Sequence, residues 1–557
     1  MANARAAGQR KINFNFLCAC ASNVKIFARS VQVMYSTFKK FIPDAVIIIA
    51  LILAAFKYVY ALSDLMDIAL FDETTYLARG VMLARDGFPS AEAAPLYALW
   101  YFLLSLAQPD RVQLYYLNAA LLTLLLPLAL YIALRCYRVS IPVAALAAFL
   151  LLIAQVNLSV TPRVNHFALL VLLIALACAS LTASLSKRFS IIALGMLLAS
   201  YARPELYYAF ILAVLVSIVL AWRERKRAAW VWVFVPVLFA IVLERLLGLP
   251  LSGTQRAWIA FGQHFALNWA AWNKVPVSDA WGDWKNILQE NFGDARTLQE
   301  IARANPAQFS RHIFTNIATL PANLFSALAI HANLILPFGW RVQEAWALLA
   351  LVAIALLARY KSIRAQIKTH RTVLLLIGFI CLVPFAITLV IHPRLHYLIL
   401  LSAFLFFALA LLSDMQHPIR NSARVAIAIG IALVLLTPNA RNLLDAQAQP
   451  TLNTIRFLQS AHPESTMRLL SAERGYETYV PDTRTIAANK KKTNFDAFLR
   501  ARKINAVLWN DRLANVKRFR NDAEWKKFIA DPGAYGYKTI TGPDGTRLLI
   551  ASSLFPN

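Results

Sequence analysis

Long apolar runs constrain this chain more than anything else in it. Eleven of them, roughly 43–62, 112–134, 141–158, 164–185, 189–203, 205–222, 228–248, 342–359, 372–391, 396–412 and 422–438, alternate with polar connections. A helix needs about 20 apolar residues to cross a ~30 Å hydrocarbon core, and lipid is the solvent in which such runs are stable. Composition agrees: the 557 residues are 59% hydrophobic and 15% charged, with mean hydropathy +0.55, against about 25% charged in an average soluble chain. The expected fold class is an α-helical polytopic membrane protein of about eleven spans, within a range of eleven to thirteen, closed by a small C-terminal α/β soluble domain.

The net charge of +27 points first to nucleic acid, but its placement excludes that partner. The basic residues cluster between apolar runs, as they do in loops retained in the cytoplasm. Two loops fix the orientation: Arg223-Glu224-Arg225-Lys226-Arg227, and the acid-free stretch holding Arg359, Lys361, Arg364, Lys368 and Arg371. Both are expected to be cytoplasmic, and Arg135, Arg138, Lys187 and Arg188 agree. The loop 63–111, the turns 159–163 and 203–205, the long loop 249–341 and everything after 438 then face outside. Residues 1–40 read as a basic cytoplasmic tail on anionic lipid, not as a cleaved signal peptide. Two shorter apolar stretches, 94–107 and 321–339, would each invert a basic loop if they crossed, so they are placed along the outer interface. The rival count lets both cross and gives thirteen.

The division is a tail (1–40), a transmembrane domain (41–441) and an extracytoplasmic α/β domain (442–557). In the last, periodicity predicts helices at Leu452–Ser460, Asn494–Lys503 and Asp522–Ile529, and strands at Arg468–Glu473 and Ala506–Trp509. A hairpin, Lys538–Ile540 with Arg547–Ala551, surrounds Gly542-Pro543-Asp544-Gly545. No Gly-rich phosphate loop is present there. All five cysteines lie outside this domain, which excludes a disulfide framework or cysteine zinc site in it.

Candidate chemistry begins just past the first span, at Leu70-Phe71-Asp72-Glu73-Thr74-Thr75-Tyr76. Taken alone, two adjacent acids there read first as the opening turn of a helix, where they favour the dipole. The wider arrangement adds Ala94-Pro95-Leu96-Tyr97 in the first outer loop, a long outer loop after the seventh span, His392-Pro393-Arg394-Leu395-His396-Tyr397 opening a late span, and an outer C-terminal domain. In this the chain resembles the GT-C superfamily of membrane glycosyltransferases, and within it the protein O-mannosyltransferase and aminoarabinose-transferase type. The resemblance covers roughly residues 40–415.

That resemblance implies an inverting sugar transfer from a polyprenyl-phosphate donor to a hydroxyl of a glycan, lipid or protein acceptor. Asp72 would be the catalytic base, taking the acceptor's proton. Glu73, about 100° away on a helix, would orient the loop or touch the acceptor. The family's lysine before its proline pair has no counterpart, Ala93 and Ala94 standing there, so the donor phosphate falls to Arg394, Arg203 or Arg163. Each of these arginines also reads as an interfacial side chain reaching headgroups. Tyr76, Tyr97, His396, Tyr397 and Trp258 are candidate substrate contacts. Trp258 stands with Trp269, Trp272, Trp281 and Trp284 in the long loop, where indoles serve sugars or bilayer interfaces alike. No residues have metal-ligand spacing; no cofactor is assigned, and a divalent metal is left open. The alternatives are a multi-span transporter or flippase of a lipid-linked glycan, and a membrane-anchored scaffold.

The odd span count puts the chain ends on opposite faces. A fused reporter active only outside the cytoplasm is expected to score at the C-terminus and not at the N-terminus; a C-terminal reporter active only in the cytoplasm refutes this topology.

Overall fold

A computed structural model describes residues 41–158, 161–252, 254–328, 360–414, 422–439, 449–463 and 465–554. The expected tail 1–40, the run 342–359 and the stretch after 328 in 321–339 lie outside the described residues. The protein is a multi-pass membrane protein by its helices. Six are long and apolar enough to cross a bilayer: Phe41–Leu65, Arg111–Cys136, Leu206–Glu224, Arg227–Leu247, Arg371–Val390 and Leu395–Ser413. Four other expected spans are helices of 13–16 residues, Ile141–Ile153, Val164–Ala179, Leu185–Ser200 and Ala423–Leu436. At 1.5 Å per residue they measure roughly 20–24 Å, short of the ~30 Å core. The count of eleven crossings therefore stays an expectation, and six is what length and apolarity establish among the described residues.

Polar residues inside the apolar runs have local duties. Lys57, the one clear charge well inside the first run, donates to the carbonyls of Val434 (3.0 Å) and Leu435 (3.3 Å). It thereby satisfies end carbonyls of the Ala423–Leu436 helix, where the dipole favours a cation. At the other end of the first span, Asp44 pairs with Arg135 (2.5 Å) and accepts from Tyr131 (2.7 Å). Asp110 caps the Arg111–Cys136 helix by accepting from the Gln113 amide at 2.7 Å.

The segments expected to lie outside are folded, not extended. The helix Asp72–Val81 lies against Pro95–Ala107 so closely that a Cβ on Gly80 would stand 2.3 Å from that of Tyr101. Only glycine permits this approach. The long loop forms a helical module, Thr254–Asn273, Val277–Gly282, Trp284–Phe292, Leu298–Ala304 and Pro306–Leu328. Its aromatic core, built on Phe261, Phe265, Trp284 and Phe292, reaches Ile391 between the late spans.

The C-terminal domain is a five-stranded sheet, β1 Met467–Ser471, β2 Thr483–Ala487, β3 Ala506–Trp509, β4 Tyr537–Thr541 and β5 Arg547–Ala551, in the order β2-β1-β3-β5-β4. The first three strands are parallel; β5 and β4 form the antiparallel hairpin. Alternation decides what each face buries. Leu469, Ala506, Leu508, Leu548 and Ile550 join the core shared with the membrane domain. Leu470, Val507 and Leu549 meet Phe495, Phe498, Phe519, Trp525 and Phe528 on the other side.

Candidate active site

Asp72 and Glu73 occupy the first turn of the Asp72–Val81 helix and point apart. Glu73 is 2% exposed. Its Oε1 accepts from Tyr97 Oη (2.6 Å), Asn118 Nδ2 (3.0 Å) and Tyr101 Oη, and its Oε2 accepts from the Arg163 amide (2.5 Å). Burial raises the Glu73 carboxyl above its usual range, against the opposing pull of these hydrogen bonds. Asp72, by contrast, is exposed and lines a cavity of ≈ 550 Å³.

Two helix faces build that cavity. Asp72, Thr75, Tyr76 and Arg79 follow i, i+3, i+4, i+7 spacing on one helix, and Arg256, Ile259, Ala260 and Gln263 repeat it on Thr254–Asn273. Arg203, His264, Trp281, Arg394, His396 and Tyr397 complete the wall, with Ser90, Glu92, Ala93 and Pro162 at its edge. Four arginines, Arg79, Arg203, Arg256 and Arg394, thus line one cavity with Asp72 and Glu92.

The cations differ in how they are held. Arg203 is 8% exposed, donates from Nε to Glu205 (2.7 Å) and stacks 5.2 Å over Tyr397. Burial alone would lower its pKa; Glu205, Tyr397 and Tyr76 more than offset this and hold it above the usual value. Arg79 donates to the Ala93 carbonyl (3.2 Å) and Arg256 to that of Glu92. Arg394 is exposed and lies 5.6 Å over Trp281, and among the described residues no acceptor pairs with its guanidinium. The turn carrying it is fixed from behind. His312 Nε2 reaches the carbonyls of Val390 (3.1 Å) and Ile391 (3.0 Å), and Asn316 donates to that of Leu389 (2.7 Å). These contacts satisfy end carbonyls of the Arg371–Val390 helix.

The structure brings Asp72, Tyr76, Arg203, Arg394, His396 and Tyr397 to one cavity. Four other candidates lie elsewhere; Glu73, expected to orient the loop or touch the acceptor, is buried away from the cavity and does only the former. Tyr97 faces Glu73, not the cavity. Arg163 is 1% exposed, its guanidinium spent on Thr123 and the carbonyls of Asn157 and Leu158. Trp258 lines a separate ≈ 720 Å³ cavity with Lys285, Asn286, Gln289 and Arg296. Sequence reasoning missed Arg79 and His264 and gave Arg256 and Trp281 no defined place. The readable signal was spacing: Arg79 is seven residues after Asp72 on an amphipathic run. Among the described residues no group of three or more His, Cys, Asp or Glu is disposed to hold a metal. Compared with known families and with curated proteins, the sequence matches no family profile and no curated protein significantly.

Three histidines around this wall are held neutral. Burial pushes His264 down to about 3 and His392 and His312 each to about 4, with Arg394 adding to the effect on the first two. Their folded values lie below the ~6.5 of an unfolded chain, so between these limits only the unfolded state takes the protons. Stability is expected to be level above pH 7 and to fall on acidification from about 6.5, by up to roughly 1.4 kcal/mol per histidine per pH unit. Glu73, raised by burial, acts with opposite sign but is one group against three. Thermal unfolding of the purified protein between pH 4.5 and 8 checks this, with His392→Gln flattening the slope. A melting temperature that stays constant to pH 4.5 contradicts it.

Proposed function

We propose that this protein is an inverting glycosyltransferase of the GT-C type, moving a sugar from a polyprenyl-phosphate donor to an acceptor hydroxyl at the outer face of the cytoplasmic membrane. The observation that carries the reading is the meeting of Asp72 with four arginines in one cavity beside the apolar helices. A lipid-borne phosphate needs cations where its head leaves the membrane, and an acceptor hydroxyl needs one positioned base.

In the proposed reaction the acceptor hydroxyl gives its proton to an Asp72 carboxylate oxygen as its own oxygen bonds to the anomeric carbon. The bond from that carbon to the phosphate oxygen breaks, and the electron pair leaves with the polyprenyl phosphate. One displacement with one base inverts the anomeric centre. The departing phosphate is a weak base and requires positive charge, not a general acid. Arg203, pinned by Glu205, and Arg394, exposed and without an acceptor among the described residues, are the groups assigned to it. Tyr76, Trp281, His396 and Tyr397 line the space left for the sugar. The topology that puts this cavity outside rests on the basic loops. No described feature favours transport: Lys57, the charge inside a span, serves helix-end carbonyls.

Asp72→Asn keeps the shape and removes the base. Sugar transfer from a radiolabelled polyprenyl-phosphate donor is expected to fall about 10²–10⁴-fold with folding intact; more than a tenth of wild-type turnover in the variant would exclude Asp72 as base.

Arg394→Ala is expected to raise the donor KM more than the acceptor KM. Arg394→Lys keeps charge but loses the bidentate fork and should lie between. Wild-type donor kinetics in the lysine variant, with poor expression of the alanine variant, would reassign Arg394 to interfacial anchoring.

A further inference from the structure

The C-terminal domain does more than sit on the membrane domain. It grips the short segment that leads from the first span to Asp72. Asp67 accepts from the amides of Leu452 (2.9 Å) and Thr451 (3.1 Å), so a carboxylate of the first loop caps the domain's Pro450–Ser460 helix. Gly475, at φ +109°, approaches so closely that a Cβ there would stand 2.6 Å from the Leu70 carbonyl oxygen. Thr74, two residues past Asp72 and 1% exposed, lies 2.8 Å from Tyr479 Oη. The single Thr74 hydroxyl proton goes to the Ala69 carbonyl at 2.8 Å, so Tyr479 is the donor in that pair.

We propose that the C-terminal domain is a positioning element for Asp72, acting through Gly475 and Tyr479 on the buried side of the Asp72–Val81 helix. Glu73 anchors the same helix turn to the membrane domain. Held from two bodies at consecutive residues, the turn can neither slide nor rotate, and Asp72 is left the one first-turn carboxylate aimed at the cavity. Tyr479, Thr74 and Gly475 touch no substrate space, so they are positioning residues. The inference rests on the reading of Asp72 as the transfer base.

The test uses full-length protein in detergent, with Tyr479→Phe, Gly475→Ala, Thr74→Val, Thr74→Ser and, as an exposed control in the same domain, Lys527→Ala. Two readouts are taken: amide hydrogen exchange over 70–79, which needs no activity, and kcat and KM for sugar transfer. We expect Tyr479→Phe, Gly475→Ala and Thr74→Val to speed exchange in that segment and lower kcat about 10- to 100-fold, the scale of a ~1 Å misplacement. KM should stay within about twofold and exchange in the spans should be unchanged. Thr74→Ser restores the hydroxyl and should recover wild-type values, and Lys527→Ala should match wild type. Adding Tyr479→Phe to Asp72→Asn should cost nothing further. Exchange over 70–79 unchanged in Gly475→Ala and Tyr479→Phe, or kcat unchanged with exchange accelerated, overturns the inference. If wild type transfers no sugar yet exchange still rises in those variants, the domain's hold on the helix stands and the glycosyltransferase reading alone fails.

Discussion

The Glu73 carboxylate is the interaction on which the architecture around the cavity turns. It lies at the meeting point of the first-loop helix, the Pro95–Ala107 helix through Tyr97 and Tyr101, the Arg111–Cys136 helix through Asn118, and the Arg163 turn through its amide. Hydrogen bonds to a charged group contribute roughly 1.5–3 kcal/mol each, and a buried acceptor left unpaired costs as much. Four donors around one carboxylate therefore set a specific arrangement of four segments, because no slipped arrangement satisfies the charge. Trp100 extends the network by donating to Asn118 Oδ1 at 2.8 Å, fixing which way that amide points. Gly80 permits the close helix packing that brings the two tyrosines within reach.

Adjacency on a helix turns this structural anchor into a positioning device. Successive residues lie about 100° apart, so burying Glu73 necessarily aims Asp72 elsewhere. The sequence offers the pair Asp72-Glu73 without saying which acid faces the open space; the donors Tyr97, Tyr101 and Asn118 decide it. Burial of Glu73 thus fixes the backbone that carries Asp72, which in the proposed reaction would place the base before the acceptor arrives.

Much of the scaffold is readable from local pattern, and the parts that are not have identifiable causes. Apolar runs mark the six long helices because lipid selects on length and apolarity alone. The run 141–158 reads as continuous but is interrupted at Ala154, whose backbone is extended, a feature invisible to hydropathy. In the C-terminal domain, Ala506–Trp509 and Arg547–Ala551 are strands with the expected bounds, and three helices fall within two residues of expectation. The strand Thr483–Ala487 escapes because edge position leaves Thr483, Arg484 and Thr485 without an apolar period. At the cavity, Asp72, Arg203 and Arg394 are legible as polar residues at span ends, whereas Arg79, Arg256 and His264 are not. Their place depends on a helix of the long loop sharing one cavity with the first-loop helix, and nothing local encodes that meeting. Arg163 looks the same as Arg203 in sequence; only the carbonyls of Asn157 and Leu158 make it structural.

The arginines at the cavity are graded by their tethers, and in the proposed reaction the grading would bear on how a leaving anion is met. Arg203 is desolvated and would be destabilised there without Glu205, so its position is as fixed as that ion pair. Arg79 and Arg256 are each committed by one nitrogen to the 92–93 backbone, which leaves their remaining N–H groups oriented but not mobile. Among the described residues Arg394 has no acceptor and has the Trp281 face, a contact worth about 0.5–1 kcal/mol at an exposed site. An anion bound by the first three would be held in one place; a phosphate that moves as its bond to the sugar breaks needs a cation able to follow it. In the proposed reaction Arg203 would meet the phosphate from a fixed position and Arg394 from one that can follow it, so Arg394 would help to hold the donor as well as to receive the charge of the departing phosphate.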